Sequence, residues 1–152
     1  MTEKSLEHAL DVLRSALADH ASADEVDDAV AGVAALDDAA SIGPLLRLLD
    51  DQAEYDELMF SLIHAAEAFD DRVYAEHFVG VIGAVRTQAP GWASIVLMRI
   101  LNNDNARTEL VRVLSSASAQ ARGAVQWLCE AINQRDARFI GKTLAVLVAS
   151  KA

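Results

Sequence analysis

Hydrophobic positions in this chain repeat with a helical period along nearly its whole length. Leu6, Leu10, Leu13 and Leu17 fall at i, i+4, i+7 and i+11, one stripe of an amphipathic helix over roughly residues 3–18. Ser22 and Glu25 stand at capping-box spacing ahead of Val26, Val30 and Val33, which predicts a second helix ending near Leu36. Gly43-Pro44 breaks the pattern. Proline suits a first helical turn, where its missing N–H costs nothing, so Pro44–Leu49 reads as a short helix. Periodicity is clearest from Glu54 to Phe69, where Tyr55, Leu58, Met59, Leu62, Ala66 and Phe69 share one face and Glu57, Ser61, His64 and Ala68 lie opposite. On that wheel Tyr55 is half buried. Phe60, about 140° away, falls outside the core stripe.

A helix over Arg72–Thr87 carries Val73, Phe78, Val81, Ile82 and Val85, and Gly80 and Gly83 weaken it by about 1 kcal/mol each. Pro90 opens a segment, apolar nearly all round, that runs to about Leu101, and Asn102-Asn103-Asp104-Asn105 ends it. Leu110, Val113 and Leu114 mark the next helix. Ser118 caps one bearing Ala121, Val125, Leu128 and Ile132, and Asp136 caps a last one bearing Ile140, Thr143, Leu144, Leu147 and Val148. No segment alternates with the period of a strand. The pattern predicts one all-α domain, residues 1–152, of about nine helices, with connections short enough for sequential helices to pack antiparallel. Leu36-Asp37-Asp38, Leu49-Asp50-Asp51 and Phe69-Asp70-Asp71, with the looser Leu101-Asn102-Asn103-Asp104, each place a large apolar residue before two short polar ones at a junction. In that echo the first polar residue closes one helix and the second caps the next. It suggests a short α-solenoid of HEAT-like helical hairpins; a compact helical bundle is the alternative.

Composition narrows the function. With 53% hydrophobic residues the chain can bury a core, and two prolines, seven glycines and few aromatics argue against a β-sandwich or barrel. The net charge of −10 counts against nucleic acid as a ligand. That charge is lopsided: residues 1–80 hold 19 acids and 4 bases, a net of −15, whereas residues 81–152 hold 4 acids and 9 bases, a net of +5. Any one acidic doublet reads as a solvated face or a helix cap. Their sum favours a basic partner and speeds its capture at low ionic strength. No apolar run approaches the ~20 residues of a membrane span, since Arg99 interrupts Ile95–Leu101. Met1-Thr2-Glu3-Lys4-Ser5 lacks the basic and apolar regions of a secretory leader, so a cytoplasmic location is expected.

Catalytic chemistry is hard to place on these residues. Cys129 stands alone on a helix between core-like neighbours, which suits a buried structural thiol, and one cysteine makes neither a disulfide framework nor a multi-cysteine zinc site. Gly-x-Ser-x-Gly, Walker and Gly-x-Gly-x-x-Gly patterns are missing, and Gly80-Val81-Ile82-Gly83 reads as close helix packing. His64 with Glu67, and Glu76-His77 one helix later, are the best metal pairing on offer. The order is reversed from the Glu-x-x-His of di-metal bundles, and His64 points away from the core. Surface histidines are the preferred reading, with no cofactor and no metal. Arg99, in an otherwise apolar helix, must reach solvent or pair with an acid; a structural ion pair with Glu67 or Asp70 is expected. Trp92, just after Pro90-Gly91, reads as a core anchor.

Several of these residues also carry a family resemblance. Ile42-Gly43-Pro44-Leu45-Leu46, Leu48-Leu49-Asp50-Asp51, the run Glu54-Tyr55-Asp56-Glu57-Leu58-Met59-Phe60-Ser61-Leu62-Ile63-His64, and then Glu67-x-Phe69-Asp70-Asp71 resemble immunity protein family 30 of bacterial polymorphic toxin and contact-dependent inhibition systems. Pro90-x-Trp92-Ala93 and Arg99-Ile100-Leu101-Asn102-Asn103 continue the match, which is good over residues 36–105. The helix pair over residues 1–35 contributes nothing to it. The resemblance implies an all-α, non-enzymatic antidote that binds and blocks a cognate toxin, and a basic nuclease would suit the acidic surface. The expected contact face comprises Asp50, Asp51, Glu54, Tyr55, Asp56, Glu57, Phe60, Ser61, His64, Glu67, Asp70 and Asp71, with Phe60 preferred over Tyr55 as aromatic anchor. No nucleic acid or membrane is expected as a partner, and a monomer is favoured. Two other classes compete: a helical-repeat scaffold or adaptor with no toxin, and an enzyme using His64 with Glu57 or Glu67.

Overall fold

Capping side chains set most of the helix starts. The computed structural model describes the backbone of Thr2–Ala152 and the side chains from Ser5 onward. The leader reading of Met1-Thr2-Glu3-Lys4 therefore lies outside the described side chains. Ser22, Asp70, Asn103 and Ser118 each sit in extended backbone and accept a hydrogen bond from the N–H three residues on, at 3.2, 2.9, 3.0 and 3.1 Å. They open α2 (Ala23–Ala34), α5 (Asp71–Gln88), α7 (Asp104–Leu114) and α8 (Ala119–Arg135). The remaining helices are α1 (Thr2–Ala18), α3 (Ile42–Leu46), α4 (Asp56–Ala66), α6 (Pro90–Leu101) and α9 (Ile140–Lys151), and 3-10 turns at Ala39–Ser41 and Ala137–Phe139 precede α3 and α9. The described residues form nine α-helices and no strand. Pro44 lies in the first turn of α3, where no carbonyl awaits its nitrogen.

The two-residue junctions behave as the sequence echo implies at two of their four sites. Asp37 closes α2 in the left-handed region at φ 49° and Asp38 caps the next turn through the Ala40 N–H. Asn102 likewise ends α6 while Asn103 caps α7. At Asp70-Asp71 the cap is the first residue, and at Asp50-Asp51 the second reaches across space to another helix.

Helices pack on the helix two places along, α2 on α4, α3 on α5, α5 on α7, α6 on α8 and α7 on α9, as well as on chain neighbours, and α5 also packs on α8. Hairpins α1–α2, α3–α4, α5–α6 and α8–α9 cross between the two layers this creates. Consecutive helices are therefore not always neighbours. α4 barely touches α5, and α7 barely touches α8, because those connections hand the chain to the next hairpin. α4 and α6 point in one direction and meet through long side chains, not through close backbone packing. Phe60 meets Trp92 edge-to-face with ring centroids 5.1 Å apart, and seven residues further along both helices Glu67 meets Arg99. The long α5 is central, touching α3, α6, α7 and α8, and buries Phe78 and Ile82. At Gly83 an added Cβ would come within 3.2 Å of the Gln120 side chain, so this glycine permits the close approach of α5 and α8. Gly80 meets nothing within 4 Å and plays no such part. One continuous core runs from Leu6 to Val146.

α4 buries Met59, Leu62 and Ala66 of the expected stripe together with Ile63, but Tyr55 precedes the helix in extended backbone and is 55% exposed, whereas Phe60 is partly buried against Trp92, the reverse of the order expected for the two aromatics. One helix is rotated from the wheel drawn on sequence. α9 turns Thr143, Val146 and Ser150 inward and leaves Ile140, Leu144 and Val148 outside. Its inward polar groups are satisfied: Asn133 Nδ2 donates to Thr143 Oγ1 at 2.8 Å, and Ser150 Oγ donates to the Leu147 carbonyl at 2.8 Å.

Candidate partner-binding surface

The segment between α3 and α4 is short, acidic and tightly held. Leu49 is buried beneath it, and the Gln88 side chain donates to the Leu49 carbonyl at 3.0 Å. Asp50 folds its own turn, accepting from the Gln52 N–H at 2.9 Å, while its own N–H points at Met59 Sδ, 3.4 Å away. Asp51 has a longer reach. Its two carboxylate oxygens accept from the Gly91 N–H at 2.9 Å and the Trp92 N–H at 3.0 Å, capping α6 from outside. Ala89, at the helix's own N-cap position, offers no side-chain oxygen, so Asp51 supplies both the acceptors and the negative charge that a helix start favours. A Cβ at residue 91 would lie 3.1 Å from that carboxylate and press on it.

Beyond this anchor the acids are free. Glu54, Tyr55, Asp56 and Glu57 are exposed, and among the described residues their side chains make no ion pair or hydrogen bond. Asp56 and Glu57 occupy the first turn of α4, where the helix dipole favours carboxylates. Ser61 is spent on structure, its hydroxyl 3.1 Å from both the Glu57 carbonyl and Asp27 Oδ1, linking α4 to α2. His64 is exposed, its ring centroid 6.3 Å from that of Phe60.

At the far end of α4, Glu67 is also spent. Arg99 donates to it through Nε and Nη2, both at 2.8 Å, a fork that raises the guanidinium pKa through the hydrogen bond first. Nearby, the Tyr74 hydroxyl is buried without a hydrogen-bond partner, and burial, with the Glu67 charge second, pushes its pKa upward. Asp70 caps α5. Asp71 is half-buried beside Glu67, Tyr74 and Arg99 in a polar cleft of about 430 Å³.

The expected contact residues therefore separate. Asp50, Asp51, Ser61, Glu67 and Asp70 serve the fold, whereas Glu54, Tyr55, Asp56, Glu57 and His64 project freely. Asp51, Asp56 and Phe60 come together at a groove of about 620 Å³ between α4, α6 and the end of α8, floored by Phe60, Trp92, Ile95, Met98 and Ile132 and edged by Arg135 and Asp136. Glu54 and Tyr55 face a different hollow, of about 350 Å³, with Leu17, His20 and Leu58. The two aromatic candidates thus do not share one depression. The groove walls Ile95, Met98 and Ile132 went unnoticed in the sequence. Their one signal was that α6 carries more apolar residues than a single buried face accommodates.

Cys129 is buried, and burial pushes its thiol pKa up to about 12, so it stays protonated. Among the described residues no group of three or more His, Cys, Asp and Glu side chains is placed to hold a metal ion. No described helix is long and apolar enough to cross a membrane.

Comparison with known proteins adds one finding. No curated protein and no solved structure matches the chain. The model of one family, described as immunity protein 30, matches residues 13–110, from the second half of α1 to α7. It takes in the Asp51 anchor, the free acids of α4 and the Glu67–Arg99 fork, and it extends beyond the quoted motifs of residues 36–105 to include residues 13–35 of the N-terminal helix pair, which the motifs alone leave out. On this match the chain belongs to the immunity protein 30 family, whose role in general terms is that of an antitoxin, typically a non-enzymatic inhibitor with a toxin as its partner.

Proposed function

We propose that this protein neutralises a basic bacterial toxin, in the cytoplasm, by binding it one-to-one and covering its working surface with the acidic side of α4. The observation that carries this reading is the set of free carboxylates. Glu54, Asp56 and Glu57 return no ion pair or side-chain hydrogen bond among the described residues, and Asp56 edges the groove floored by Phe60 and Trp92 while Glu54 edges the neighbouring hollow. Charges of that kind accelerate encounter with an oppositely charged surface. The groove supplies the apolar, water-excluding centre that slows departure. A toxin whose own cleft attracts phosphates would carry the complementary potential, which makes a nuclease the natural target class. The two-layer packing serves as a short HEAT-like stack, a rigid platform that keeps the acidic side and the groove in register.

Co-expression with a basic bacterial toxin domain of the kind this family counters tests the reading. Cells survive when both are made and die when the toxin is made alone. Association measured between low and physiological ionic strength slows by about tenfold or more if the charges steer encounter. A rate that ignores salt overturns the electrostatic half of the reading, and death despite equimolar protein overturns the whole.

A further inference from the structure

Asp71 and Tyr74, in the first turn of α5, line the polar cleft of about 430 Å³ together with Glu67, Arg99, Asn102 and Asn103. It lies where the end of α4, the start of α5, the end of α6 and the start of α7 converge. Two groups there are not used by the fold. The half-buried Asp71 carboxylate makes no ion pair or hydrogen bond among the described residues. The Tyr74 hydroxyl, on a residue only 5% exposed, is buried with no partner. Beyond the effect of burial, the Glu67 charge raises its pKa more than the Arg99 charge lowers it. The hydroxyl therefore faces those two lining residues, in a field that is negative on balance. A buried hydroxyl left without a partner is costly, and a ligand that supplies one recovers the cost.

We propose that this cleft is a socket for one basic side chain of the partner, a lysine or an arginine, held between the Asp71 carboxylate and the Tyr74 hydroxyl. The socket rests on the reading of the partner as a basic toxin and adds a second contact to the α4 groove. Charge selects the occupant. Arg99 is neutralised by its fork to Glu67, which leaves Asp71 uncompensated among the lining residues. On its other side Asp71 lines a shallower hollow of about 330 Å³ with Asp70, Arg72 and Glu109, where carboxylates again outnumber bases. Lys142 donates to Asn102 Oδ1 at 2.6 Å from α9 and is not part of the lining. An anion entering here would meet the Asp71 carboxylate unshielded. Position selects the partner. Ile95 of the groove and Arg99 of the cleft lie one turn apart on α6, and Asn102 follows a turn later, so groove and cleft open on one side of that helix. Along α4, Glu57 and Glu67 are about 15 Å apart, well within the span of a single interface of standard size.

Titration with small cations tests the socket without any toxin, read by the Asn102 and Asn103 side-chain amide signals in nuclear magnetic resonance. Ethylguanidinium stands for arginine and n-propylammonium for lysine, while tetramethylammonium carries the same charge with no N–H to donate. At least one of the first two saturates with a midpoint on the order of 10 mM, and tetramethylammonium moves the signals about fivefold less. Tyr74→Phe weakens that binding about tenfold with an unfolding midpoint equal to or above the parent's, because the deleted hydroxyl has no internal partner to lose. Asp71→Asn weakens it by a similar factor. Equal shifts from all three cations, no saturation below about 100 mM, or a Tyr74→Phe or Asp71→Asn chain that binds as tightly as the parent would each overturn the socket. Any of these leaves toxin neutralisation standing, whereas a saturable socket in a chain that gives no protection overturns the toxin reading alone.

Discussion

α4 and α9 are of similar length, 11 and 12 residues, and both are amphipathic, yet they turn opposite natures to the water. α4 buries Met59, Leu62, Ile63 and Ala66 and displays Asp56 and Glu57. α9 buries Thr143, Val146 and Ser150 and displays Ile140, Leu144 and Val148. The difference lies in their neighbours. α4 sits between α2, α3 and α6, with apolar side chains on every inward side, so hydrophobic burial chooses its face. α9 lies on α7 and α8, where Asn133 offers Thr143 a hydrogen bond that no aliphatic side chain could return. A helical wheel shows that a stripe exists. The surface it meets decides whether that stripe is core or contact.

The contrast is broken most sharply by removing one leucine from each helix. Leu62 is fully buried, so Leu62→Ala leaves a cavity and costs about 2–5 kcal/mol in denaturant unfolding. Leu144→Ala, on the outside of α9, changes stability by no more than about 0.5 kcal/mol. A large loss at Leu144 would mean that α9 packs the other way round.

Next in size is the cap that α4's loop supplies to α6. Asp51→Ala strands the Gly91 and Trp92 N–H groups and costs about 1–2 kcal/mol, visible as a lower denaturant midpoint. Asp51→Asn keeps an acceptor and recovers part of it. An Asp51→Ala chain as stable as the parent would return this residue to the free acids.

Alkaline pH probes the buried side of α8. The Cys129 thiol has a folded pKa raised to about 12, above its ordinary value near 9. Below pH 9 it is protonated in both states, and its contribution is fully present. Between pH 9 and about 12 the unfolded chain gives up this proton more readily, so stability falls as pH rises, by at most about 1.4 kcal/mol per pH unit. Unfolding of the parent and of Cys129→Ala at pH 8 and pH 10 isolates the effect, and equal pH slopes in the two would remove it. The intact thiol also ignores Ellman's reagent at pH 8 until denaturant is added.

The smallest stability effect belongs to the residues with the largest proposed role. Asp56→Asn with Glu57→Gln removes two unpaired charges, moves stability within about 0.5 kcal/mol and slows toxin capture several-fold at low salt. Faster dissociation with unchanged association would place these acids in the bound interface and not on the approach to it.

The sequence reached some of these features and missed others for identifiable reasons. Nearest-neighbour chemistry settled the helix starts at Ser22, Asn103 and Ser118, because a cap and its acceptor lie three residues apart. It also settled the all-α class, because apolar spacing there outweighs any strand alternation. Arg99 in an apolar helix already demanded a carboxylate, and only the parallel run of α4 and α6 decided that the acid is Glu67. The role of Asp51 was invisible, since its partners stand 40 and 41 residues away and an acid that caps at a distance looks like any acid in a loop. The groove under Phe60 belongs to three helices and to no one of them. Local interactions made the helices and their charge; which side of each faces water waited for the layers to close, because burial is a property of pairs of surfaces that a single strip of residues does not contain.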